Sequence, residues 1–508
     1  MPPTPNPSRA TQRCINPACA AKYPVTDVRT ACGACGALLD VVYAWDAAAP
    51  RTWAFADARS KTNGCLDGSG VWRFRELMPF YSDERDIATI GEGKTILQRA
   101  DELGTVLGFG DGTAPSPRPS PGGRGSEPGK LYLQYEGFNP SGSFKDNGMA
   151  AAFTHARMVR AKVVACASTG NTSASMAVYA ARCGMKAVVF IGDGKIAFGK
   201  LSQALDYGAL TLQVAGDFDA CLARVRHIAE KIPAAGVYLM NSVNPFRLEG
   251  QKAVMYRVLE GLGRNVPDWI VVPGGNLGNC SAFAKAFMEL RELGLVDRVP
   301  RLAVVNAAGA RTLDRVYNEL GVRWNGGSYF TDGGKAKVEA DYARMDAAGE
   351  RAHTIASAIE INRPVNLVKA LRALEVMNGS SKAGGWRDGA PGVVTSVDDD
   401  TITEYKALVG RYGYGCEPAS AASLAGAHKL LKAGTIRPGQ SVVCILTGHQ
   451  LKDPDVTVGY HMGVDAKTAG KAASGSKPMG KYANAPVRVN DDLGEILKAM
   501  GVNTAPLS

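Results

Sequence analysis

No stretch of this 508-residue chain reaches the ~18 apolar residues that a membrane-spanning helix needs. The opening stretch, Met1 to Arg13, is polar and Pro-rich and lacks the apolar core of a signal peptide, so a cytoplasmic chain is expected. Basic runs are short as well. Lys and Arg outnumber Asp and Glu by 58 to 48, a formal charge of +10. Without a basic stripe, that excess argues for anionic small molecules rather than nucleic acid. A disulfide framework is also missing. The 11 cysteines are odd in number and most stand singly among apolar residues, as in a reducing compartment. What is present is ordinary globular composition, 45% hydrophobic and 21% charged, in a chain long enough for several domains.

Four cysteines break the scatter: Cys14 and Cys19, then Cys32 and Cys35, with Gly33 and Gly36 at the turns. Two knuckles at this spacing suit a tetrahedral structural zinc, and four thiolates would leave no open position for catalysis. Residues 1–45 are therefore read as a zinc-ribbon-like segment; a ribbon remnant without metal is the plainer alternative. Residues 111–129, rich in Pro, Gly, Ser and Arg, have no hydrophobic periodicity and read as a disordered surface insert. They also lack the interleaved aromatics that stacking on RNA requires.

From Leu131 onward, short apolar runs alternate with amphipathic ones. Strands are expected at Leu131–Leu133, Val163–Ala167, Ala187–Ile191, Leu210–Val214, Val237–Met240, Trp269–Val272, Leu302–Asn306 and Val442–Leu446. Helical patterns separate them, beginning with one from Met149 to Arg160. The fold class is α/β: two doubly wound, open, parallel-sheet domains. The larger is expected to take 46–150 and 246–465, the smaller 151–245, with 466–508 a peripheral tail. Ligands in such folds bind beyond the carboxyl ends of the strands. Lys145, Ser168, Asn241 and Thr447 are expected at or just beyond strand ends, and Gly275 follows one.

Lys145 ends the turn Asn139-Pro140-Ser141-Gly142-Ser143-Phe144. Alone, it reads as a solvated loop lysine. Two later strand-to-helix turns change that reading: Ala167-Ser168-Thr169-Gly170-Asn171-Thr172, and Gly274-Gly275-Asn276-Leu277-Gly278-Asn279. A sequestered amine and a glycine loop that offers amides to a phosphate are what pyridoxal phosphate requires.

These strings, together with Asn241-Ser242-Val243-Asn244-Pro245-Phe246-Arg247 and Leu446-Thr447-Gly448-His449, resemble the threonine synthase family of the type II pyridoxal phosphate fold. The resemblance covers roughly 70–460 outside the insert. It implies that Lys145 carries the cofactor as a Schiff base and moves protons. Asn171 would meet the ring hydroxyl, Gly275, Asn276, Leu277, Gly278 and Asn279 the cofactor phosphate, and Thr447 the ring nitrogen. Ser168, Thr169 and Thr172 would hold the substrate carboxylate, and Ser242, Asn244 and Arg247 a second anion, the phosphate of O-phosphohomoserine. Cys14, Cys19, Cys32 and Cys35 would hold zinc, and a homodimer is compatible with the family.

Plainer roles stand beside these: a helix cap for Asn171, a structural ion pair with Glu249 for Arg247, loop support for His449. The sequence also departs from the family, with Lys94-Thr95-Ile96 in the Gly91-Glu92-Gly93 turn and Asn147 after Asp146. Cysteate synthase or a serine/threonine ammonia-lyase on the same fold remains the alternative, and a zinc-ribbon RNA-binding or regulatory protein the remote one.

Overall fold

Strands rich in Val, Ile and Leu are covered by Ala-rich helices, and the outcome is two parallel sheets. In the computed structural model, residues 9–62, 64–110, 131–168, 170–192, 198–215, 218–381, 389–463 and 480–502 are described. The insert 111–129, Thr169 and part of the C-terminal tail lie outside the described residues. The described residues divide into two units, Met1–Asp453 and Pro454–Ser508.

The first unit opens with a small antiparallel sheet, β1 (Ala10–Cys14), β2 (Lys22–Pro24) and β3 (Leu39–Tyr43), in the order β2-β1-β3. Next come β4 (Ile96–Arg99), β5 (Leu131–Tyr135), β6 (Val163–Ala167), β7 (Lys186–Gly192), β8 (Leu210–Val214) and β9 (Val237–Leu239). The last four are β10 (Trp269–Pro273), β11 (Arg301–Ala307), β12 (Val393–Val397) and β13 (Val442–Leu446). The larger sheet runs β12-β11-β10-β13-β5-β4, parallel except for β4 against β5. The smaller runs β8-β7-β6-β9, all parallel. β10 and β13 are buried along their whole length, which is why they read as unbroken apolar runs rather than alternating ones.

Two helices are locked together by missing side chains. The Lys145–Met158 helix lies against the Pro245–Gln251 helix. A Cβ on Gly250 would come within 1.9 Å of the Asn147 carbonyl oxygen, and one on Gly148 within 3.0 Å of that of Arg247. Only glycine permits this backbone approach.

The ribbon docks on this assembly through buried polar contacts. Asp40 pairs with Lys369 at 2.8 Å and Arg372 at 2.7 Å. The buried His155 ring lies between the Val25 carbonyl, 2.5 Å from Nε2, and the Tyr238 hydroxyl, 2.6 Å from Nδ1.

Several expectations shift. The first long helix starts at Lys145, not Met149, so Lys145 opens a helix instead of ending the turn before it. The cause is local: Asp146 accepts from Ser141 N at 2.7 Å and Ser141 Oγ at 2.5 Å, closing the turn one step before the Ala-rich run. The Pro245–Gln251 helix is also unforeseen. Its signals are Pro245 in the first turn and Asn244 as cap, whose Oδ1 accepts from Phe246 N at 3.0 Å.

The second unit holds the Pro454–Met462 and Leu493–Ala499 helices. Among the described residues, no helix is long and apolar enough to cross a membrane.

Candidate active site

Chain turns converge at the carboxyl ends of the strands. Phe144 N donates to Thr447 O, and His449 N to Gly142 O, both at 2.9 Å, so the Lys145 turn is stitched to the segment after β13. Lys145 is half-buried, with Nζ 3.9 Å from the centre of the Phe144 ring. Asp146 beside it is fully buried; burial lifts its carboxyl to about 6, against hydrogen bonds from Ser141 and Ser175.

The Gly91–Leu97 turn joins the same wall, since Gly93 N donates to Asn139 Oδ1 at 2.8 Å. Asn147 donates to Glu136 Oε2 at 2.7 Å, and Glu136 pairs with buried Arg257 at 2.7 Å. The departure at 147 thus serves a buried ion pair.

Asn171 is the first residue of the helix after β6, one past the cap position at Gly170, and its Oδ1 accepts no hydrogen bond that would cap the helix. Its Nδ2 donates instead to Glu417 Oε2 at 2.9 Å, and Thr447 Oγ1 donates to Glu417 Oε1 at 3.0 Å. Two residues far apart in sequence therefore meet on one buried carboxylate that the sequence reading missed. Its only local signal is the Glu-Pro start of the Pro418–Lys432 helix.

The glycine loop follows β10. Leu277 adopts the left-handed conformation, φ 64° and ψ 16°, a strained choice for a side-chain-bearing residue. The Gly278–Glu292 helix starts at the next residue, so its first amides point away from the helix with no intrahelical acceptor. A Cβ on Gly275 would lie 3.0 Å from Ile359 Cα, and one on Gly278 3.2 Å from Gln251 Oε1. Asn366, also unforeseen, ties this loop to the Ser242 segment: its N donates to Asn276 O at 3.1 Å and its Nδ2 to Ser242 O at 3.2 Å.

The second-anion residues split. Asn244 caps its helix and donates to Leu239 O at 3.0 Å, so it supports backbone. Arg247 is 2% exposed and does not pair with Glu249, which is held by Lys252, Lys285 and Tyr43. Its Nη1 donates to Met240 O at 2.7 Å, while its Nε has no partner. Burial lowers its pKa to about 10, which leaves it charged at neutral pH. Ser168 Oγ accepts from Gly170 N at 3.0 Å, and Thr172 is half-buried in the first turn beside it. His449 Nδ1 accepts from Leu451 N at 3.2 Å, a loop-holding role.

The residues fit pyridoxal phosphate. Asn171 Oδ1 and Asn279 Oδ1 are buried polar atoms without a partner, the loop amides suit a phosphate, and Lys145 supplies the amine. At the ribbon, the Sγ atoms of Cys14, Cys19, Cys32 and Cys35 all lie within 4.8 Å of one another. A tetrahedron with Zn–S near 2.3 Å has sulfur edges of about 3.8 Å, so the cluster suits zinc.

The pyridoxal-phosphate dependent enzyme family matches residues 114–448. The threonine synthase of Methanocaldococcus jannaschii is 38% identical over 448 residues, 88% of this chain and 94% of its own length. The chain belongs to the threonine synthase family. The threonine synthase of Methanosarcina acetivorans is 36% identical over 446 residues, 88% of this chain and 93% of that one. The structure of threonine synthase from Escherichia coli shares the fold, with a TM-score of 0.56 at 17% identity over 97% of this chain and 99% of that one. This family member is a pyridoxal phosphate-dependent lyase acting on a small molecule.

Proposed function

We propose that the site converts O-phospho-L-homoserine and water to L-threonine and phosphate. The observation that carries this reading is Arg247, a buried guanidinium whose Nη1 meets only a carbonyl and whose Nε is unpartnered. Such a charge is costly to bury unless an anion completes it. The glycine loop is the place for the cofactor phosphate, so Arg247 serves a second one.

The cofactor, when bound, supplies the electron sink that acidifies the substrate's α carbon. Lys145 holds it and then carries protons at the α and β carbons through Nζ. Ser168 and Thr172, beside the start of the helix after β6, orient the substrate carboxylate together with Thr169. Arg247, with Ser242, favours the departing phosphate; Asn244 keeps the Arg247 helix in place. Asn171 and Thr447 position the cofactor ring, and Gly275 to Asn279 its phosphate.

The remaining parts of the proposal are a large domain from 46–150 and 246–465, a smaller one from 151–245, a zinc-held ribbon, and a cytoplasmic homodimer without nucleic acid. The short basic runs favour a small anionic substrate over nucleic acid.

The deciding assay is phosphate release from O-phosphohomoserine, with amino-acid analysis of the product and borohydride trapping at Lys145. Threonine and phosphate in equal amounts are expected. Faster deamination of serine than phosphate release would transfer the site to an ammonia-lyase.

A further inference from the structure

Glu417 is fully buried, and its two carboxylate oxygens take hydrogen bonds from the two side chains assigned above to the cofactor ring. The direction of each bond follows from the donors. Asn171 Nδ2 can only donate, so Glu417 Oε2 accepts, at 2.9 Å. Ser420 Oγ accepts from Gly448 N at 3.1 Å and lies 2.9 Å from Thr447 Oγ1; since the one Thr447 proton goes to Glu417, the proton in that contact is Ser420's. Thr447 Oγ1, already accepting from Ser420, passes its proton to Glu417 Oε1 at 3.0 Å. The chain runs one way, from the Gly448 amide through Ser420 and Thr447 to the carboxylate.

A threonine hydroxyl has one proton. With that proton shared toward Glu417, Thr447 has nothing left to give a ring nitrogen and can only accept from one. We infer that Glu417 is a positioning residue that, acting through Thr447, makes the site a holder of the protonated ring nitrogen. The inference rests on the proposed placement of Thr447 at that nitrogen. A neutral hydroxyl alone cannot hold that nitrogen protonated; the carboxylate behind it supplies the charge that does. The balance is simple: the ring nitrogen keeps one proton shared toward Thr447 Oγ1, and the Thr447 proton stays shared toward Glu417. No bond to carbon changes.

Burial of the carboxylate strengthens the relay. A carboxylate one hydroxyl away acts on the nitrogen with little screening by water. Removing the charge while keeping the shape frees Thr447 to turn its proton to the ring.

The test uses full-length holoenzyme loaded with pyridoxal phosphate labelled with nitrogen-15 in the ring, observed by nuclear magnetic resonance. The wild type is expected to show a ring nitrogen in the pyridinium range. Glu417→Gln is expected to move it to the neutral range with the cofactor still bound and still trapped on Lys145 by borohydride. A merely structural role for Glu417 would leave that resonance in place. If Glu417→Gln loses the cofactor, Thr447→Val gives the same readout, since it cuts the relay at the hydroxyl. A neutral nitrogen in the wild type, or a pyridinium that survives either variant, overturns the inference while the function stands. A wild type that takes up no pyridoxal phosphate overturns both.

Discussion

The Tyr43 hydroxyl, at the end of the ribbon's last strand, donates to Glu249 Oε2 at 2.6 Å, on the short helix that also carries Arg247. Glu249 also takes Lys252 at 2.7 Å and Lys285 at 2.8 Å, and Glu289 takes Lys252 at 2.6 Å. Burial alone would raise the Glu249 pKa; the two lysines outweigh it and hold it low. Four buried charges of balanced sign therefore sit under the ribbon, and every one is paired. The ribbon is thus wired to the helix that positions the proposed phosphate site.

Tyr43→Phe removes one donor from that network and leaves the lysines. Hydrogen bonds to charged groups contribute about 1.5–3 kcal/mol, and the variant should lose stability on that scale in urea denaturation. A loss below a few tenths of a kcal/mol would show that Tyr43 only packs.

His155 should make the ribbon joint sensitive to acid. Burial lowers its pKa from 6.5 to about 4, and the Val25 carbonyl opposes that only in part. The folded state prefers neutral His155, so this contribution is complete above the unfolded value near 6.5 and is lost as pH falls through about 4. The depression corresponds to about 3 kcal/mol at most. His155→Gln, compared with wild type from pH 7 to pH 4, should flatten that part of the stability profile. A wild-type profile that runs parallel to the variant's would remove His155 from the account.

The parts of the fold that were legible were those with a local cause. β10 and β13 announce themselves as apolar runs because parallel strands are buried on both faces, and the glycine loop because the backbone there must lie bare. β12 was missed because its Val393–Val397 run is short and follows a Gly/Pro-rich stretch. The Pro245–Gln251 helix was missed because its seven residues are held by Asn244 and by glycine contacts with another helix. At the site, Lys145, Asn171 and Thr447 stood out by context. Glu417 did not: its meaning comes from Asn171 and Thr447, hundreds and tens of residues away, and no spacing encodes that meeting.

The ribbon should bind about one zinc per chain. The Cys14–Cys35 and Cys19–Cys32 sulfurs lie 3.4 Å and 3.6 Å apart, close to the edge of a zinc tetrahedron. Cys32→Ser should release the metal, as measured by atomic emission. Because the cluster is closed and structural, activity should fall in step with unfolding. Loss of zinc with unchanged stability would detach the ribbon from the scaffold it touches through Asp40, Tyr43 and Val25.

Arg247 separates a functional charge from a structural one. A guanidinium that served the fold would leave stability lower when removed; one waiting for an anion should not. Arg247→Met keeps the volume, removes the buried charge and gives up one bond to the Met240 carbonyl. Stability should therefore change by no more than about 1 kcal/mol. Turnover of O-phosphohomoserine should fall far more. Losing one anion-stabilising donor costs about 2–4 kcal/mol in the transition state, on the order of a hundredfold or more in rate. Uptake of pyridoxal phosphate should barely move, because its phosphate belongs on Gly275 to Asn279. Cofactor titration and phosphate release on one preparation read both quantities. Weakened cofactor with intact turnover would mean that the two phosphate sites are exchanged. A large stability loss with proportionate activity loss would return Arg247 to the scaffold.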